Sequence, residues 1–244
     1  MNKLTPLVKS FQNLTKFERR LLIFSLTVVF LSFLCSSQRD TVTVVASLIG
    51  VTALIFVSKG DVLGQILTVI FSLLYALISL TFHYYGEMIT YLFMTTPIAI
   101  LSIISWLRNP FEKGKSEVTV NQLDWKEILF LLFLSGTVTT IFYFILVHYH
   151  TNNIVFSTIS ITTSFLASYL MFRRSAFYAL AYAANDLVLI VLWILASIED
   201  RSYIPMIICF LMFLLNDLYG FFNWSKIRQR QQALKNSFFE VEES

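Results

Sequence analysis

Residues 176–198 read AFYALAYAANDLVLIVLWILASI, an apolar run with one acid, Asp186, and no base, set between Arg173-Arg174 and Glu199-Asp200-Arg201. A run of about 20 apolar residues crosses a bilayer as a helix, because a helix pairs every backbone N–H and C=O within its own segment. Working outward, similar runs occupy 20–36, 41–57, 62–82, 88–107, 126–148, 153–172 and 203–224. Lettered A to H in chain order, with the opening run as G, they predict an all-α membrane protein of about eight transmembrane helices. A soluble domain is roughly a quarter charged; this chain is 14% charged and 57% apolar, with a mean hydropathy of +0.71. That composition leaves no room for a separate soluble domain.

The charges set the orientation. Lys and Arg gather in short cytoplasmic loops. With the N-terminus inside, 16 of the 18 basic residues fall on the inner side, and the outer loops keep Arg39 and Arg201. Both termini are therefore expected to be cytoplasmic. The basic residues serve topology, so the net charge of +3 does not indicate a nucleic-acid partner. The apolar run from Leu21 to Cys35 lacks a small-residue cleavage site after it and reads as a retained first span. Cys35 and Cys209 lie in apolar runs and make no disulfide framework. The histidines, His83, His148 and His150, fall in outer loops; His148 and His150 cannot share a helix face, so no metal site is expected.

The two halves of the chain repeat. Span A, preceded by Phe17-Glu18-Arg19, aligns with span E, preceded by Trp125-Lys126-Glu127, and B, C and D then align with F, G and H. B ends at Lys59 and F at Arg173-Arg174; D ends in Trp106-Leu-Arg and H in Trp224-Ser-Lys. Equivalent spans enter from the same side, so the repeat is parallel, a design that places substrate near the midplane where the halves meet. The two tryptophans read as interfacial anchors.

Ionisable groups inside a span are costly and face a cavity or a partner. Asp186 in G and Asp217 in H are the acids well inside spans, each preceded by an asparagine, Asn185 and Asn216. Both asparagines lie roughly 12 to 14 Å above the inner boundary at 1.5 Å per residue. On G, Tyr178, Tyr182 and Trp193 share the Asn185 face. The earlier half offers Gln65, Ser72 and Tyr75 on C and Thr95, Thr96 and Pro97 on D, where proline permits a kink. Rings and amides together suit a flat, polar, cationic ligand. A different class of function, an intramembrane enzyme, would use Asp186 and Asp217 as an acid pair.

The stretch Tyr85-Gly-Glu-Met-Ile-Thr-Tyr-Leu-Phe-Met-Thr-Thr-Pro, Ser105-Trp-Leu-Arg-Asn-Pro, Tyr182-Ala-Ala-Asn-Asp and Asn216-Asp-Leu-Tyr-Gly-Phe-Phe-Asn-Trp resemble, in order over 40–230, the PnuC family of nicotinamide riboside transporters. The resemblance implies a SWEET-like 3+1+3 core. Its bundles are 41–107 and 153–224, its linker helix is 126–148, and 20–36 is an additional helix between the segment 1–19 and the tail 225–244. It implies uptake at the plasma membrane by facilitated diffusion, with trapping by an intracellular kinase, no cofactor, and a homo-oligomer allowed. Thiamine and other nucleoside-like vitamins are the alternative substrates. Many members carry tryptophans seven and four residues before the asparagine of the sixth core helix, where this chain has Tyr178 and Ala181. The residues expected to bind substrate are Asn185, Asn216, Tyr182, Tyr178, Trp193, Tyr75, Gln65 and Thr96. The tail from Gln229, with Glu240, Glu242 and Glu243, is expected to be solvated and partly disordered.

Overall fold

Thr15 and Glu18 open the first long helix as a capping box: the Thr15 hydroxyl accepts from the Glu18 N–H and the Glu18 carboxylate accepts from the Thr15 N–H. In the computed structural model this helix is α2, Lys16–Leu34, and a short α1, Pro6–Gln12, precedes it. The chain continues through α3 (Thr41–Ser58), α4 (Val62–Thr81), α5 (Tyr85–Thr90), a π-helical stretch (Tyr91–Thr95) and α6 (Thr96–Arg108). The second half comprises α7 (Trp125–His148), α8 (Ile154–Phe172), α9 (Tyr178–Glu199) and α10 (Ile204–Glu242). The structure describes residues 6–36, 40–81, 84–112, 116–151 and 153–242, with side chains described between 9 and 237. Lys3, Arg39, His83, Lys113, Lys115 and Glu243 lie outside the described residues.

Among the described residues no strand forms, and seven helical segments are long and apolar enough to cross a membrane: α3, α4, Tyr85–Arg108, α7, α8, α9 and the first part of α10. The protein is thus an all-helical, multi-pass membrane protein. α2 differs from the others because Lys16, Glu18, Arg19 and Arg20 crowd its first turns. The span expected at 88–107 begins earlier, at Tyr85, and is interrupted. Pro97 cannot donate to the helix ladder, and just before it the backbone widens so that the Thr96 N–H reaches Tyr91 O. The tail expected to be partly disordered instead prolongs α10 as a helix to Glu242, with its side chains exposed from Gln232 to Ser237.

The repeat appears as matched hydrogen bonds. α3 and α8 end in the same turn: Gly60 N–H donates to Val57 O and Asp61 N–H to Phe56 O, while Arg174 N–H donates to Met171 O and Ser175 N–H to Leu170 O. Gly60 and Arg174 both have φ near +60°, at 68° and 57°. Glycine adopts that backbone without strain, and Arg174 is held there by bonds from its guanidinium to Thr119 O and Ser105 Oγ. Lys59 pairs with Glu18, and Arg173 pairs with Glu127, whose helix is capped by Asp124. Glu18 and Glu127 are therefore equivalents, and α2 stands to the first half as α7 stands to the second.

The tryptophans do not anchor the interface. Trp106 and Trp224 are 1% and 0% exposed, with ring centroids 5.5 Å apart. Trp106 Nε1–H donates to Met171 O and Trp224 Nε1–H to Val57 O, so each half holds the last turn of the other's helix. Their neighbours repeat the exchange, Ser105 Oγ to Phe172 O and Asn223 Nδ2 to Ser58 O. An indole N–H buried away from water needs such an acceptor, and the helix ends supply carbonyls without intrahelical partners. The segment between α6 and α7 crosses the same end, with Val118 N–H on Gly60 O and Asn121 N–H on Arg174 O.

Candidate functional site

Above this tryptophan latch lies a cavity of about 60 Å³, whose lining includes Val57, Met171, Gly50, Ser164, Thr68, Tyr182, Phe71, Asn185, Thr95 and Phe213. Stepped equally from the turns at Gly60 and Arg174, Gly50 corresponds to Ser164, Val57 to Met171, Thr68 to Tyr182 and Phe71 to Asn185; stepped from the tryptophans, Thr95 corresponds to Phe213. The cavity therefore sits on the axis relating the halves. Tyr91, Phe210, Asp186 and Asp217 are also on its wall. The carbonyls of Val57 and Met171 accept the indole bonds, so the latch forms the floor. A wider hollow of about 940 Å³ opens on the basic end among Lys9, Glu18, Lys59, Trp106, Glu117 and Arg230. The latch separates the two spaces. The smaller one carries the buried amide, carboxyls and rings, and is the candidate site.

Asn185, 2% exposed, holds its place through α8: its carbonyl oxygen accepts from Thr163 Oγ1 at 2.8 Å, Ser164 Oγ at 2.9 Å and Ser160 Oγ at 3.4 Å. A serine- and threonine-rich helix is what lets an amide lie deep in a bilayer fully oriented. Tyr182 bonds Ser168 Oγ at 3.1 Å and sets its ring edge-on to Tyr178. Asp186 and Asp217, each 3% exposed, lie within hydrogen-bonding reach of one another across α9 and α10.

The other expected residues fall elsewhere. Asn216 turns away from the cavity: its Nδ2 donates to Ser25 Oγ of α2 at 3.0 Å and to Met212 O at 2.6 Å, and Asp217 takes the wall position. Tyr178 lies beneath Tyr182, packed on Trp224 at 4.9 Å. Trp193 donates to Tyr75 OH at 3.2 Å and packs edge-on to Tyr84 and tilted against Tyr203, beyond the cavity toward the opposite end. Tyr75 lies 4.4 Å from the Tyr91 ring and so backs a wall residue. The Thr96 hydroxyl donates to Tyr91 O at 2.8 Å and bonds Ser72 Oγ, which fixes the π-helical turn. Gln65 is buried outside the lining. Thr95, which the sequence offered beside Thr96, is on the wall, whereas sequence reading missed Tyr91, Phe71 and Phe213 as wall residues. His148 and His150 are exposed, and no group of metal-binding side chains occurs among the described residues.

The sequence pattern of the family described as nicotinamide mononucleotide transporter matches residues 40–226. The chain belongs to that family. A relative, the nicotinamide riboside transporter PnuC of Neisseria mucosa, is 26% identical over 194 residues, covering 78% of this chain and 73% of the relative. The crystal structure of the vitamin B3 transporter PnuC shares the fold, with a TM-score of 0.78 at 24% identity over 90% of this chain and 94% of that one. The nicotinamide mononucleotide transporter family consists of carriers, so the reading of Asp186 and Asp217 as the acid pair of an intramembrane enzyme is set aside. The family match begins at Asp40, after α2.

Proposed function

We propose that the protein carries nicotinamide riboside across the plasma membrane by facilitated diffusion. The observation that carries this reading is the small cavity on the repeat axis, where an oriented amide, Asn185, shares the wall with the rings of Tyr182 and Tyr91. The amide offers hydrogen bonds to a carboxamide or ribose, and the rings offer faces to a pyridinium. Ligand pockets typically hold about 300–1,000 Å³, so a cavity of about 60 Å³ is a contracted state that widens when substrate enters. Tyr178, Trp193, Tyr75, Gln65, Thr96 and Asn216 stand behind or beside that wall and would shape it as the halves rock.

On this reading the core is SWEET-like, with bundles 41–107 and 153–224 joined by α7. α2 is an eighth span: its Ser25 bonds Asn216 near the midplane, and its charges stay at the basic end. The excess of Lys and Arg places that end, with both termini, in the cytoplasm. A kinase that phosphorylates the imported riboside would make uptake one-way, and assembly into a homo-oligomer is compatible with the exposed α7.

Calorimetry on detergent-purified protein, with thiamine as the competing ligand and Asn185→Ala as control, tests the assignment. Binding of the riboside that disappears in Asn185→Ala supports substrate and site together. Binding of thiamine alone moves the substrate and keeps the site.

A further inference from the structure

Asp186 and Asp217 approach each other closely enough for a hydrogen bond. Two carboxyl groups can make one only if a proton lies between them, since an ionised carboxylate only accepts. A pair sharing one proton carries a single negative charge. Asp186 Oδ2 has no hydrogen-bond partner, although it is buried and Asp186 lines the cavity. The titratable groups around the pair are Tyr91 from the π-helical turn, Tyr178 and Tyr182 from α9 and Cys209 from α10, with Glu87 of α5 beyond Tyr91. α3, α4 and α8 contribute neutral residues such as Gly50, Thr68, Phe71 and Ser164. No Lys, Arg or His faces the pair among the described residues.

An acidic group within a bilayer ordinarily finds a partner of opposite charge. In the first half, Ser72 stands where Asp186 stands in the second, and it bonds Thr96 as an uncharged pair across α4 and α6. Interhelical bonding alone is thus met by hydroxyls in one half, while the other half spends two acids at the cavity. The positive charge that completes the second pair is absent from the chain's described side chains at this depth.

We propose that Asp186 and Asp217 together form the charge-selecting subsite of the carrier, one shared proton leaving a single negative charge that matches a monocationic aromatic ligand. The inference rests on the riboside reading, which supplies such a ligand in its pyridinium. Asp186 supplies the free oxygen facing the ligand, and Asp217 holds the proton against it.

Two ligands of nearly one shape decide the matter: nicotinamide riboside, which is cationic, and its 1,4-dihydro form, which is neutral. Calorimetry on purified wild-type protein is expected to show the cation binding at least tenfold more tightly. In Asp186→Asn and Asp217→Asn that preference is expected to vanish, both forms binding at the level of the neutral one, which also shows that the variants fold. A preference that persists in both variants overturns the subsite, as does equal binding of the two forms by the wild type. Loss of both ligands in the variants also overturns it, since the carboxyls would then be structural. A wild-type protein that binds neither form overturns the substrate reading instead.

Discussion

Trp106 and Trp224, which occupy equivalent places in the two halves, lie with ring centroids 5.5 Å apart at the centre of the basic end while each indole bonds the opposite half. A closure made this way is shared, because opening it breaks both bonds together. Trp106→Phe and Trp224→Phe each remove the indole bond from a carbonyl that keeps its turn N–H, at a cost of about 0.5–1.5 kcal/mol. In a background lacking Cys35 and Cys209, a cysteine at Met171 is expected to react faster with a soluble thiol reagent added from the basic side once either tryptophan is replaced. Unchanged labelling in both variants would show that the latch does not close the path.

Asn185 and Asn216 are expected to separate binding from stability. Asn185→Ala removes the acceptor of three α8 hydroxyls and the amide at the cavity, so riboside affinity falls at least tenfold, about 1.4 kcal/mol or more. Asn216→Ala severs the bond to Ser25 and lowers the melting temperature while changing affinity less than Asn185→Ala does. Calorimetry and thermal unfolding in the same detergent read both; a reversed pattern would return Asn216 to the site.

Gly64 sits where α4 begins against the end of α3, and a Cβ there would lie 2.3 Å from Val57 N and 2.8 Å from Phe56 C. Backbone cannot yield as a side chain can, so Gly64→Ala is expected to destabilise by about 1–3 kcal/mol. Gly136, with nothing within 4 Å of its would-be Cβ, is the control: Gly136→Ala is expected to hold or raise the melting temperature, since alanine favours a helix.

Glu18 couples α2 to the first half and to acidity. Burial pushes its carboxyl up, but the Thr15 N–H and the Lys59 ammonium outweigh that and hold it below its ordinary value of 4.5. A depressed carboxylate contributes stability that is present above its unfolded value and lost as pH falls through its folded one. Melting temperature is therefore expected to drop below about pH 4.5 in the wild type. Glu18→Gln should start lower and lose part of that dependence. Parallel curves for the two proteins would remove Glu18 as its source.

Much of the architecture was legible because hydropathy and charge report it directly: a bilayer requires long apolar helices, and Lys59, Arg173 and their neighbours mark one end. The depth of the Asn-Asp pairs was legible from helix rise. Which member of each pair faces inward was not, because that depends on the rotation of α10, and α2 packs on the same helix and claims Asn216 through Ser25. The tryptophans misled for a related reason. Sequence places Trp106 and Trp224 at a membrane boundary, and only the crossing of the two halves brings them together beneath the cavity. Pro97 announced an irregularity, but the form it takes depends on Thr96 and Ser72 bonding around Tyr91.

The crossing segment imposes a mechanical stop. Val118 is tied to Gly60 and Asn121 to Arg174, one in each half, and Gln231 of α10 clamps the same strand of chain at Val118 and Val120. Three residues fully extended reach about 10–11 Å. While those ties hold, the two turns can part no farther than this short leash allows, so the carrier's stroke at this end is bounded by chain length.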